Sequence, residues 1–175
     1  MTLEQLYDQL KKTNIVKFGK FKFRSGIDSD KYLDVKEILG DYEVMDVLLP
    51  HFVNLIDPQT TCVAGMGVGG VPLAAQLLNY KFNAAYIRDK ERDHGIPGWL
   101  EGYKPKPFDK VTVVDDVRTS GGTLLEASSR IETTGATILG YCVIVDWHKN
   151  PKVLPHPFKA LMTVEELLSI YEKKK

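Results

Sequence analysis

The residues Val113–Thr123, VVDDVRTSGGT, hold the densest chemistry in the chain. An apolar run, Val111–Val114, delivers two adjacent carboxylates, Asp115 and Asp116. The chain then passes through Val117 and Arg118 to Thr119, Ser120, Gly121, Gly122 and Thr123, where a helix is predicted to open. Glycines there let backbone N–H groups turn inward, and a helix start adds positive potential, so the loop is expected to cradle a phosphate. The three hydroxyls donate to the remaining phosphate oxygens. A helix cap needs one acid. Two acids beside a phosphate nest point to ribose hydroxyls and a magnesium ion held through the substrate, with no side-chain cage of its own.

Two further segments are unusual. Ala64–Leu77, AGMGVGGVPLAAQL, matches GxGxxG at Gly65, Gly67 and Gly70 after an apolar run, with Asp89 near the end of the next one. That imitates a dinucleotide fingerprint, a weak signal when alone. Arg88–Gly102, RDKERDHGIPGWLEG, concentrates Arg88, Lys90, Arg92 and His94 and carries three glycines as hinges. Such runs are usually solvated connections, but a lid closing cations over a departing diphosphate needs these same features. By residue type alone, Tyr32 and Phe23 are core aromatics. His51, His148 and His156 lack ligand spacing.

DDVRTSGGT resembles the phosphoribosyl-diphosphate signature of the type I phosphoribosyltransferases, and FGKFKFRSG and RDHG resemble the orotate branch of that family. The similarity runs through nearly the whole chain. It implies an enzyme that transfers a phosphoribosyl group from phosphoribosyl diphosphate to orotate in pyrimidine nucleotide biosynthesis, with Mg2+ as cofactor. Asp115, Asp116, Arg92 and His94 become the catalytic set. Val117–Thr123, Val68, Gly69, Arg88, Asp89 and Lys90 become donor ligands, the Val68–Gly69 loop holding pyrophosphate through its backbone. Arg24, Tyr32, Leu33 and Thr119 become base-binding residues under an N-terminal hood. The resemblance also implies a homodimer whose lids reach into the neighbouring site.

Several positions depart from the pattern. Val68 and Gly69 stand where an aromatic and a lysine are usual. Asp89 replaces a lysine, with Lys90 one place later, and Arg92 replaces another. Leu33 replaces the second aromatic of a stacking pair, and Trp147 replaces the arginine that binds the orotate carboxylate. A buried carboxylate without its cation costs several kcal/mol. Either the acceptor is another base, or Arg24 or His148 supplies the missing charge. Two other readings remain: a phosphoribosyl-diphosphate-sensing regulator without turnover, and a nucleotide-cofactor oxidoreductase built on Gly65–Gly70.

These residues need a scaffold. Thr2 and Gln5 form a capping box before Leu3, Leu6, Tyr7 and Leu10, giving a first helix that ends near Thr13. Residues 15–35 suggest short strands and turns, and Asp41 caps a second helix. The apolar runs 62–64, 84–87, 111–114 and 138–145 alternate with helices predicted over Val71–Leu78 and about Leu124–Thr133. That pattern gives an α/β fold with a parallel sheet covered on both faces. Thr163 and Glu166 open a C-terminal helix. The expected architecture is the type I phosphoribosyltransferase fold in one domain, 1–175. A small hood (about 1–40 with 148–175) sits on a core of about 41–147.

Composition narrows the partners. Lys plus Arg and Asp plus Glu are both 23, so there is no global positive field for nucleic acid. No run of 18 apolar residues suggests a membrane span. Cys62 and Cys142 sit in apolar runs, as core residues of a reducing compartment. The expectation is a cytoplasmic protein whose partners are small-molecule substrates and a second copy of itself.

Overall fold

The computed structural model describes residues 2–22, 28–91, 98–148 and 151–172, with backbone only at 22, 28–30 and 172. Helix α1 (Leu3–Lys12) opens on the Thr2–Gln5 capping box. Strands β1 (Val16–Lys22) and β2 (Asp28–Leu33) then form an antiparallel ribbon. A 3-10 turn (Val35–Gly40) leads to α2 (Tyr42–Val53), capped by Asp41 through Val44 N–H.

The main sheet has the order β5-β4-β3-β6-β7-β8. Strands β3 (Cys62–Met66), β4 (Asn83–Ile87), β6 (Lys110–Arg118), β7 (Thr137–Asp146) and β8 (Phe158–Thr163) run parallel. The short β5 (Leu100–Gly102) returns antiparallel against β4. Helices α3 (Gly67–Gln76) and α4 (Gly122–Glu132) make the crossovers, and α5 (Val164–Glu172) follows β8. This is the expected α/β architecture with a mostly parallel central sheet.

Alternate side chains of the strands feed two apolar clusters, one on each face. Val63 and Val114 pack with α1, α2, α3 and α5, whereas Cys62, Ala64, Met66, Val111 and Val113 pack with Leu124, Ala127 and Ile131 of α4. That arrangement explains why the strands read as continuous apolar runs.

Three details differ from expectation. Helix α3 starts on the glycine cluster, four residues before the predicted Val71, because α3 packs tightly across β3. The stretch 88–106 holds β5. Residues 158–163, grouped by sequence with the hood, form β8 of the main sheet, while Tyr171 of α5 ties to α1 by donating to the Leu10 carbonyl.

Candidate active site

Parallel strands bring their carboxyl ends to one edge of the sheet, where loops enter helices. Here that edge carries the ends of β3, β4, β6 and β7 at Met66, Ile87, Arg118 and Asp146. Asp115 and Asp116 lie on it, only 7% and 8% exposed. Asp116 N–H donates to Asp115 Oδ1 and Val117 N–H donates to Asp116 Oδ1, both at 2.9 Å. Asp116 Oδ2 is buried with no hydrogen-bond partner among the described residues. Its nearest cation among the described residues is Lys36 on the 3-10 turn, with Nζ 3.9 Å from Asp116 Oδ2 and 4.0 Å from Asp34 Oδ1. Burial, and then the neighbouring Asp116 carboxylate, push the Asp115 carboxyl well above the usual carboxylate range.

Gly69 on α3 abuts this pair. A Cβ there would lie 2.2 Å from Asp116 Oδ1 and 3.0 Å from Asp115 Oδ1. The departure at Gly69 thus has a local reason: the acids fill the space a side chain would need. A Cβ on Gly65 would meet the Gly70 carbonyl oxygen at 1.9 Å, so these glycines let α3 close onto β3. Such contacts account for the GxGxxG spacing without a dinucleotide.

The loop expected to hold a phosphate follows. Gly121 adopts φ +80° at the cap of α4, and Gly122 N–H points to Ser120 Oγ at 3.4 Å. Thr119 and Thr123 are exposed, and neither hydroxyl has a hydrogen-bond partner among the described residues. Val117 packs against the apolar cluster and offers the site only its backbone. The Arg118 side chain is likewise engaged elsewhere. Its Nε and Nη2 donate to the two oxygens of Asp146 at 2.7 and 2.6 Å, and its guanidinium stacks 3.8 Å from the Phe158 ring.

Val68, Arg88, Asp89 and Lys90 do come together, lining a groove of about 750 Å³ with Gly67, Tyr86 and Glu101. Arg88 pairs with Glu101 at 3.3 Å. Arg130 of α4 donates to the Arg88 carbonyl, pairs with Glu126 and stacks 3.7 Å from the Trp99 ring. It therefore anchors both ends of the stretch expected to form the lid.

Other expected residues are placed differently. Arg24, Arg92 and His94 lie outside the described residues. Tyr32 packs beside Phe21, with ring centroids 5.5 Å apart. Leu33 is a correction: it is buried in the apolar cluster, because alternation along β2 turns it inward where Tyr32 turns outward, so it offers no face to a base. Trp147 is also core, and its backbone N–H donates to the Arg118 carbonyl at 2.8 Å. His148 Nδ1 sits 3.8 Å from Asp146. Sequence reasoning missed Lys36 and Arg130. The i,i+4 spacing of Glu126 and Arg130 was the one available signal for the latter.

Among the described residues no group of three or more His, Cys, Asp or Glu side chains could hold a metal. A buried carboxylate pair with one oxygen unpartnered still suits magnesium, a hard cation that keeps waters and substrate oxygens and needs only one or two protein carboxylates. The thiols of Cys62 and Cys142 are buried, free and pushed up to about 12 by that burial, which leaves them unreactive. No helix among the described residues is long and apolar enough to cross a membrane.

Comparison with known proteins gives a consistent set. A family model described as phosphoribosyl transferase domain matches residues 44–172. An orotate phosphoribosyltransferase from Methanosphaera stadtmanae is 37% identical over 144 residues, 81% of this chain and 80% of that protein. The crystal structure of orotate phosphoribosyltransferase from Aeropyrum pernix is 28% identical, with a TM-score of 0.81 over 94% of this chain and 96% of that one. A UMP synthase from Leishmania donovani, 23% identical, shares the fold with a TM-score of 0.83 over 97% of this chain, which spans 38% of that chain.

Proposed function

This chain belongs to the phosphoribosyl transferase domain family, and we propose that it transfers the phosphoribosyl group of phosphoribosyl diphosphate to orotate, giving orotidine monophosphate and pyrophosphate. The observation that carries this reading is a buried carboxylate pair, with Asp116 Oδ2 unpartnered among the described residues, five positions before the Gly121–Gly122 nest.

The reaction moves the ribose anomeric carbon from a diphosphate oxygen to a ring nitrogen. Positive charge builds on the ribose and negative charge on the leaving group. The loop Thr119–Thr123 holds the 5-phosphate, and Asp115 and Asp116 accept hydrogen bonds from the ribose hydroxyls, fixing the sugar while the carbon moves. Asp115 and Asp116 would help to hold a magnesium ion brought with the donor, which would supply positive charge to the diphosphate. The backbone of Gly67–Gly69, with Arg88 and Lys90, lies along the groove where pyrophosphate departs. Arg92 and His94 act from the lid, whose closure keeps water from the ribosyl cation. Tyr32 and Thr119, with Arg24 by resemblance, are assigned to the base. An anionic pyrimidine needs little general-base help.

Exposed Val68 (75%) gives that flank, with Val71, Pro72 and Tyr86, an apolar surface suited to a second copy, so the working form is read as a homodimer. Reduced, buried cysteines suit the cytoplasm. The test is a screen of free bases with phosphoribosyl diphosphate and magnesium. Orotate is expected to give orotidine monophosphate and pyrophosphate in equal amounts. Turnover of a different base would move the acceptor, and tight donor binding without turnover would make the chain a sensor.

A further inference from the structure

We propose that Lys152, in the connection between β7 and β8, is a ligand of the donor's 5-phosphate and completes the phosphate loop from outside the motif. Lys152 and Leu154 of that connection lie along the loop. Lys152 N–H donates to the Ser120 carbonyl at 2.9 Å, and Leu154 Cδ2 lies 3.4 Å from where a Cβ on Gly121 would sit. A Cβ on Gly122, the first residue of α4, would have Ser120 Oγ at 3.5 Å and Lys152 Nζ at 3.8 Å. The ammonium therefore stands over the amide and hydroxyl donors of the nest. No carboxylate pairs with it among the described residues.

That placement is unfavourable without a ligand. The start of α4 carries positive potential from its unsatisfied N–H groups, and a cation beside it is repelled. An anion between the two reverses the sign of both interactions. A phosphate dianion there accepts from the Gly121–Thr123 amides, from the exposed Thr119 and Thr123 hydroxyls, and from the ammonium. The backbone bond to Ser120 fixes where the lysine stem begins, so little chain must move on binding. This assignment rests on the reading that Thr119–Thr123 holds the 5-phosphate.

Ribose 5-phosphate tests it, because that molecule carries the 5-phosphate but neither diphosphate nor base. Lys152→Met is expected to weaken its binding on the order of tenfold, the loss of one charge-assisted hydrogen bond. KM for phosphoribosyl diphosphate should rise by a similar factor with kcat within about twofold, since the contact is equal in ground and transition states. Lys152→Arg should recover most of the loss, and pyrophosphate affinity should not change. Lys152 is exposed, so the variant should melt with the parent; Lys152→Gln carries the same expectation should the Met variant fail to fold. Unchanged ribose 5-phosphate affinity would overturn the assignment, as would an equal loss for pyrophosphate, which a general field produces. The binding result holds whichever base the chain uses, so it stands apart from the identity of the acceptor.

Discussion

The ribose role proposed for Asp115 sets function against stability at one side chain. It is buried against a second carboxylate, and its carboxyl is pushed up first by desolvation and then by Asp116. A folded-state value above the unfolded one, ordinarily about 3.9, means the folded chain binds more protons between the two. Stability therefore falls as pH rises through that window, and the penalty is fully present above it. Asp115→Asn keeps the acceptor for Asp116 N–H and removes the charge. At neutral pH the variant should be more stable than the parent, by roughly 2–4 °C in melting temperature for each kcal/mol recovered. The difference should vanish as pH falls toward 4, while turnover drops on the order of a hundredfold for want of a ribose contact. Denaturation from pH 4 to 8 alongside steady-state rates checks both. A variant less stable at every pH would show that the acid pair is structural.

At the level of elements, the proposed phosphate loop is fastened to its surroundings by a bidentate ion pair. Arg118 ends β6 and Asp146 ends β7, and their side chains are 12% and 13% exposed. Removing one partner leaves a charge uncompensated at the strand edge, so Arg118→Met should cost about 3 kcal/mol. It should also raise KM for the donor as the loop Thr119–Thr123 loosens. Adding Asp146→Leu should recover most of the stability, since an apolar pair of similar volume is often neutral. Urea unfolding of the two single variants and the double variant gives the coupling directly. If the double variant is no better than the single, the guanidinium acts through its stack on Phe158 and not through Asp146. The elements themselves were largely legible: the apolar runs of β3, β4, β6 and β7 and the two capping boxes lie where periodicity puts them. β5 was not legible, because three residues in a polar stretch carry no period. The glycine-led start of α3 was hidden because glycine is a poor helix former and only tertiary packing explains it. The site divides the same way. Its acids and phosphate loop form one contiguous motif. Lys36 and Lys152 come to it from other segments, Arg130 braces the lid stem from α4, and Leu33 was misplaced because stacking and core aliphatics look alike in sequence.

For the whole molecule, the sheet leaves one edge for chemistry and one flank incompletely covered. Beside β4, the groove of about 750 Å³ combines exposed Val68 and half-buried Val71, Pro72 and Tyr86 with Arg88–Lys90 and Glu101 from the stem of the expected lid. Arg130 holds both stem ends to α4, beside the surface a second copy would occupy. If the lid of each copy serves the neighbouring site, two defective variants must complement. Arg92→Ala removes a lid cation and Asp116→Asn removes a ribose contact, and each alone should be nearly inactive. Mixed in equal amounts and allowed to exchange subunits, half the dimers are mixed, and in each of them one site pairs an intact lid with an intact acid pair. Activity should then rise to roughly a quarter of the parent's in a closed two-fold dimer. Light scattering supplies the mass and gel-resolved tagged subunits supply the exchange. A dimer that exchanges without recovering activity would place each lid over its own site, and a monomeric mass with full turnover would remove the shared site altogether.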